Sequence, residues 1–183
     1  MYISKSGAVD TSDQIPDWAR EEKSFFSWSP SRSLLASIRA YQRHAGSGNP
    51  LRILGRKFAV LRHIFWGAIT GADVPLTCSI GGGLLIPHPN GIVIHPAVTI
   101  GPNCLIFQQV TLGERNGQVP KIEGHVDIGA GAKIIGGVVV GAHAKIGANA
   151  VVLTNVADGC TAVGIPAKIC RPINCSDEIT GIK

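Results

Sequence analysis

A chain of 183 residues with 45% apolar and 16% charged residues is long enough to bury one main core, and it is too apolar to be chiefly disordered. Its formal charge of +5 favours an anionic ligand or surface, but no basic run is interleaved with aromatics and no groove-reading motif occurs, so nucleic acid is not an expected partner. Five cysteines without a CxxC pair and the lack of a leader-like apolar start predict free thiols and a cytoplasmic location, and the apolar runs are too interrupted to span a membrane.

We divide the chain into an α-helical region over 1–70, a β-helix domain over 71–170 and a tail over 171–183. Residues 1–13 are polar and expected to fray. After Pro16, DWAREEKSFF offers Asp17 as a helix cap, and SPSRSLLASIRAYQRH offers a serine cap followed by Leu34, Leu35, Ile38 and Tyr41 at helical spacing. GSGNP breaks the chain. A third helix is predicted over 51–69, with Ile53, Leu54, Phe58, Leu61, Ile64 and Phe65 on one side and basic residues on the other. We read the basic side as solvated, with membrane or partner contact left open. Trp18, Trp28 and Trp66 are expected to pack the helices against the β-helix.

From Asp73 the period becomes six. Apolar residues fall at Val74, Ile80 and Ile86, at Ile94, Ile100, Ile106 and Leu112, and from Ile122 through Ile128, Ile134, Val140 and Ile146 to Val152. The residue four further on is often small or β-branched, as at Cys78, Cys104, Val126 and Ala144. This is a hexapeptide β-helix repeat, three units closing one triangular coil, with glycines near the corners and Cys78 and Cys104 packed inside.

Regular coils carry little chemistry, so the breaks in the period are the informative places. The first is PHPNGIV, where two extra residues push His88 out of the stack, and the second is Gly113 to Lys121, four residues over the period and expected to project as a loop. Asp73 precedes His88 by fifteen residues, close to one coil. That spacing can set a carboxylate beside the imidazole, an arrangement suited to a general base acting on a hydroxyl; a structural turn histidine is the competing reading.

The ordered parts, an aspartate, a histidine followed by G-I-V, Q-x-V-T-L-G, P-K-I, I-G-A-G-A-K-I and a closing G-I-P-A-K, resemble the serine acetyltransferase family of hexapeptide acyltransferases over residues 73–169. The resemblance implies a mainly β protein, a left-handed parallel β-helix preceded by a short α-helical N-terminal region. It implies a homotrimer, with higher assembly open, active sites between subunits and acetyl-CoA as co-substrate lying along the coils. By position, His88 is the implied general base and Asp73 its orienting carboxylate. Gly113, Ala130 and Ala148 are the implied backbone contacts to CoA, and Lys168 an implied phosphate contact. No metal is expected.

Two departures concern the acceptor. Family members carry an aspartate immediately before the histidine, here Pro87, and an Arg-His pair before P-K-I, here Gln118 and Val119. Glu114, Arg115, Asn116 and Gln118 are expected to contact a small-molecule acceptor with a hydroxyl. We place a sugar hydroxyl in surface polysaccharide synthesis ahead of L-serine in cysteine biosynthesis, and leave open a peripheral contact with membrane-linked glycan machinery. Two other classes compete. His125 and His143, one coil apart, could share zinc as in γ-type carbonic anhydrases but lack a third ligand, and a noncatalytic trimeric scaffold would bind no acetyl-CoA.

Overall fold

Short parallel strands realise the six-residue period in the computed structural model, which describes residues 13–24, 27–44, 46 and 49–170. The expected tail, with Cys175, lies outside the described residues. Face one of the solenoid stacks Val93–Ile94, Thr111–Gly113, Lys133–Ile135 and Val151–Val152. Face two stacks Ser79–Ile80, Thr99–Ile100, Lys121–Ile122 and Val139–Val140. Face three stacks Leu105–Ile106, Asp127–Ile128, Lys145–Ile146 and Thr161–Val163, and ends in the antiparallel Lys168–Cys170.

Side chains alternate across a strand, so one residue of each short strand points inward, and the parallel register sets like upon like. Ile80, Ile100, Ile122 and Val140 form one column, Ile94, Leu112, Ile134 and Val152 a second, and Ile106, Ile128, Ile146 and Ala162 a third. All are buried. Burying one such aliphatic side chain contributes about 2 kcal/mol, so the columns are the main source of stability. Cys78 and Cys104 fill small inward slots, their Sγ atoms donating to Val98 O and Glu123 O, each at 3.2 Å. Burial pushes both thiols up to about 11, which leaves them packed and unreactive.

Glycine does not hold every corner. Asn103, Gln109, His125, His143 and Asn149 take the left-handed conformation there, with φ between 55° and 61°. Coil length varies with the breaks read from the sequence. Ser79 pairs with Thr99 after 20 residues, Thr99 with Lys121 after 22, and Lys121 with Val139 after 18. The last coil contracts: Lys145 pairs with Thr161 after 16 residues and Val156 bridges to Val140. The period alone misses this, because Val156 suits a small slot as well as a strand. Side chains bridge the contraction, Asn155 Oδ1 accepting from Val139 N–H at 2.9 Å and Asp158 Oδ1 from Ala142 N–H at 3.1 Å.

The first coil would leave its apolar end open to water. Helix α1, Pro30–His44, covers it with Leu34, Leu35 and Ile38, all buried in the same core. The helix expected after Pro16 is only a 3₁₀ turn, Trp18–Glu21, capped by Asp17, whose side chain accepts from Ala19 N–H at 3.1 Å. This N-terminal strap lies along the corner between faces two and three, where Asn103 Oδ1 accepts from Asp17 N–H and its Nδ2 donates to Ile15 O, both at 2.7 Å. Trp18 rests on Gly82, where a Cβ would come within 2.6 Å of the indole. Glu21 and Arg39 then clamp strap, helix and coil together. Their ion pair is 2.8 Å, Arg39 also donates to Ile80 O and to Gly81 O, and Glu21 accepts from Leu84 N–H at 3.2 Å.

Helix α2, Pro50–Thr70, is capped by Asn49, which accepts from Leu51 N–H at 3.0 Å, and ends at Gly71 in the left-handed region. Trp66 packs partly against the core, with Trp28 edge-on to it at 5.6 Å. Yet only Ala59 and Thr70 of α2 are buried, and the apolar side read from its sequence faces outward. Among the described residues, no helix is long and apolar enough to cross a membrane.

Arg39→Ala removes the clamp and strands the carbonyls of Ile80 and Gly81, so we expect it to lower unfolding stability by about 3 kcal/mol. Urea denaturation followed by circular dichroism would measure the shift; an unchanged midpoint would show that the strap and α1 hold without it.

Candidate functional site

His88 stands in the expanded first coil, in the turn 87–91 that leads from face three into face one. Pro87 and Pro89 restrict the backbone on either side. The turn is pinned below and above: Gly91 N–H donates to Gly71 O at 2.8 Å, Ile92 N–H to Pro89 O at 3.3 Å, and Gln109 N–H to Asn90 O at 2.9 Å. The histidine itself is exposed. Asp73 lies beside the strand that leaves this turn, its N–H donating to Ile92 O at 2.8 Å and its carbonyl accepting from Ile94 N–H at 2.9 Å.

Asp73 and His88 thus share one corner, but no hydrogen bond or ion pair joins their side chains among the described residues. The Asp73 charge instead acts on His63 of α2. Burial pulls the His63 imidazole below its ordinary value, while a hydrogen bond with the Val74 backbone and the Asp73 carboxylate draw it back up. Ser37 Oγ lies 3.1 Å from His63 Nδ1. Nothing in the sequence tells which side of α2 rests on the first coil, so His63 had no visible partner there.

Above the His88 turn the corner continues as a backbone ladder. Gly131 N–H donates to Gln108 O and Asn149 N–H to Ala130 O, both at 2.8 Å. At about 4.8 Å per coil, Ala148 lies three coils above His88, about 14 Å away. Lys168 pairs with Val163 at the top of the same edge, where Ala167 N–H donates to Val151 O at 2.8 Å. His88, Ala130, Ala148 and Lys168 therefore lie along one edge of the solenoid. Gly113 does not. It closes a strand at the far end of face one, paired with Ile135.

Gln108, the first residue of Q-x-V-T-L-G, belongs to this edge, although its sequence context suggests no role for it. One coil above His88, its Oε1 is buried with no hydrogen-bond partner among the described residues. A buried acceptor left unpaired costs about 1–3 kcal/mol, and a bound donor would recover it.

The second break is a tight hairpin. Asn116 and Gly117, at φ 55° and 74°, make a type I′ turn closed by Arg115 N–H to Gln118 O at 2.9 Å and Gln118 N–H to Arg115 O at 3.1 Å. Glu114 Oε1 accepts from Gly117 N–H at 2.6 Å. The expected free projection is not what forms: the hairpin lies over the next coil, where Gly136 and Gly137 make room for it. A Cβ on Gly137 would stand 2.6 Å from Gln118 Oε1, and one on Gly136 3.2 Å from Arg115 Cβ. Arg115, Asn116, Gln118, Leu153 and Asn155 line a shallow groove of about 250 Å³ there.

Glu114, Arg115, Asn116 and Gln118 are thus at the end of face one, and His88 is at its start. The width of face one, roughly 15 Å at about 3.3 Å per residue, separates them, and a single chain does not bring them together. A more open recess of about 530 Å³, lined by Asp13, Glu123, Val139 and Asp158, lies by the contracted last coil and contains none of these residues. His125 and His143 stack as their spacing predicts, with ring centroids 4.8 Å apart, and no group of three metal-ligating side chains occurs among the described residues.

No protein-family model matches the chain. The serine acetyltransferase of Synechococcus elongatus is 39% identical over 105 residues, covering 55% of this chain and 43% of that protein. A solved serine acetyltransferase in complex with CoA superposes with a TM-score of 0.66 at 33% identity, over 78% of this chain and 58% of that one. Soybean serine acetyltransferase complexed with serine gives 0.58 at 31% identity, over 79% and 72%. The chain spans about half the length, or less, of the curated relatives it matches.

Gly117→Val forces a β-branched residue into the left-handed region with no atom within 4 Å of its Cβ, so strain alone should open the hairpin. We expect trypsin to cut after Arg115 about ten times faster in this variant, by mass spectrometry of timed digests, with the solenoid intact. Equal rates would mean that the turn is not held as described.

Proposed function

The chain belongs to the serine acetyltransferase-like family of hexapeptide-repeat acyltransferases, and from that premise we propose that it transfers the acetyl group of acetyl-CoA to the hydroxyl of a small acceptor, L-serine. The observation that carries this reading is the edge on which His88, Ala130, Ala148 and Lys168 lie in line. Acetyl-CoA supplies an activated acyl group as a thioester. An extended arm fits such an edge: Ala130 and Ala148 present backbone behind a single methyl, Lys168 offers a cation for phosphate, and the orphaned Gln108 Oε1 awaits an N–H or O–H donor. Gly113, remote from this edge in one chain, would serve a neighbouring copy.

His88 accepts the proton of the acceptor hydroxyl as its oxygen attacks the thioester carbonyl, and returns that proton to the departing CoA thiolate. Backbone N–H groups of an adjacent coil stabilise the oxyanion. Asp73 orients the imidazole once substrates close the corner, since catalytic hydrogen bonds are commonly long in the free enzyme. The acceptor groups lie across the width of face one in the same chain, so the complete site joins the His88 corner of one copy to the 113–121 hairpin of the next, in a homotrimer. Glu114 and Arg115 supply the opposite charges that a zwitterionic acceptor needs. The free thiols Cys78, Cys104 and Cys160 suit a reducing cytoplasm.

The relatives favour L-serine over the sugar hydroxyl expected from the acceptor motifs. The sugar remains a second reading on one observation: uncharged Pro87, Gln118 and Val119 stand where family members hold an aspartate and an Arg-His pair for the amino acid.

CoA thiol release with L-serine and, in parallel, a panel of sugars and nucleotide sugars tests both. We expect turnover with L-serine and a fall in kcat of about 10³-fold in His88→Ala. Turnover with sugars alone would transfer the proposal to the second reading. Equal rates in wild type and His88→Ala would overturn the assignment of the base.

A further inference from the structure

The outward side of α2 is the largest unexplained feature of the surface. Leu54, Phe58, Leu61 and Phe65 are 65%, 61%, 65% and 53% exposed, although the helix is held firmly on its other side by Ala59, Trp66 and Thr70. Turning at 100° per residue, those four side chains fall within about 60° of arc, and Lys57 and Arg62 stand about 40° beyond its opposite borders. Ile64 and Ile69, also exposed, extend the stripe. An apolar patch of this length on a free surface calls for an occupant.

Charge identifies its kind. Lys57 and Arg62 border the stripe, Arg52 and Arg56 lie on the far side of α2, and neither α1 nor α2 contains an aspartate or glutamate. Two copies meeting through this stripe would bring Lys57 and Arg62 of each helix to the borders of the other, with no acid on either helix to neutralise them. An anionic bilayer surface meets both demands at once: it takes the leucines and phenylalanines into the acyl boundary and pairs the flanking cations with lipid phosphates, their alkyl stems reaching back to the headgroups.

We propose that α2 is an interfacial membrane-binding helix, by which the protein lies peripherally on anionic lipid. It does not span: no helix among the described residues is apolar and long enough. About 31 Å of helix would lie in the plane of the interface. Its C-terminal cap, Gly71, accepts from Gly91 N–H of the His88 turn, so the helix is anchored to the candidate site. The proposal does not depend on which acceptor is used, and its test reads binding only.

Flotation of the full chain with phosphatidylcholine vesicles, and with vesicles in which about a third of that lipid is replaced by phosphatidylglycerol, provides the test. We expect at least about ten-fold stronger partitioning onto the anionic vesicles, weakened by salt. Phe58→Glu and, separately, the charge reversal Lys57→Glu with Arg62→Glu should abolish it. Both change outward side chains, and unchanged circular dichroism melting would confirm that the fold persists. Binding that ignores phosphatidylglycerol, or survives Phe58→Glu, would overturn the proposal. So would a wild type that stays off both vesicles while Phe58→Glu lowers its mass in sedimentation equilibrium, which would assign the stripe to contact between copies.

Discussion

Parallel backbone pairing between successive coils, at a spacing of about 4.8 Å, governs the rest of the molecule. Because each strand hydrogen-bonds to an equivalent strand one coil away, side chains that share a phase must stack. The inward columns can therefore hold only residues that tolerate close self-packing, and isoleucine and valine fill nearly all of them. The same registry runs along the corners. It sets the imidazoles of His125 and His143 one above the other, and it aligns Ala130 and Ala148 on an edge that begins at the His88 turn. The site we propose lies where that registry is locally relaxed.

Insertions relax it in two ways. Two extra residues at 87–91 leave the stacking intact on both sides and expose one imidazole at a corner. Four extra at 113–121 build a hairpin that is laid over the next coil, because Gly136 and Gly137 lack the side chains that would hold it off. Each insertion lies at one end of face one, which separates His88 from the 113–121 hairpin within a chain. The site we propose to be shared between copies is thus divided by where the two breaks fall in an otherwise regular period.

Much of this is legible in the sequence because a six-residue period states both the strand and its inward residue. Ile80 to Val152 fall where the phase puts them, and both insertions are visible as phase shifts. The contraction before Val156 is not, since valine satisfies either of two slots and the compensating hydrogen bonds of Asn155 and Asp158 are long-range. The short strap reads as a helix because Asp17 is a sound cap, but Trp18 and Asn103 fix that segment to the corner instead. Helix α2 illustrates a deeper limit. Amphipathic spacing reveals that one side is apolar, and only the fold shows that this side is turned away from the core. The acceptor is the least legible, since Pro87, Gln118 and Val119 say what is missing and not what replaces it.

The proposed sharing of the site between copies makes a direct demand on mixed assemblies. His88→Ala and a variant with Glu114, Arg115 and Gln118 all changed to alanine should each be inactive alone, through different halves of the site. Unfolding and refolding them together in equal amounts, then assaying CoA thiol release, should restore about a quarter of the wild-type rate, because one site in four then draws both intact halves from two different chains. Mixtures no more active than the separate variants would contradict a site assembled between copies.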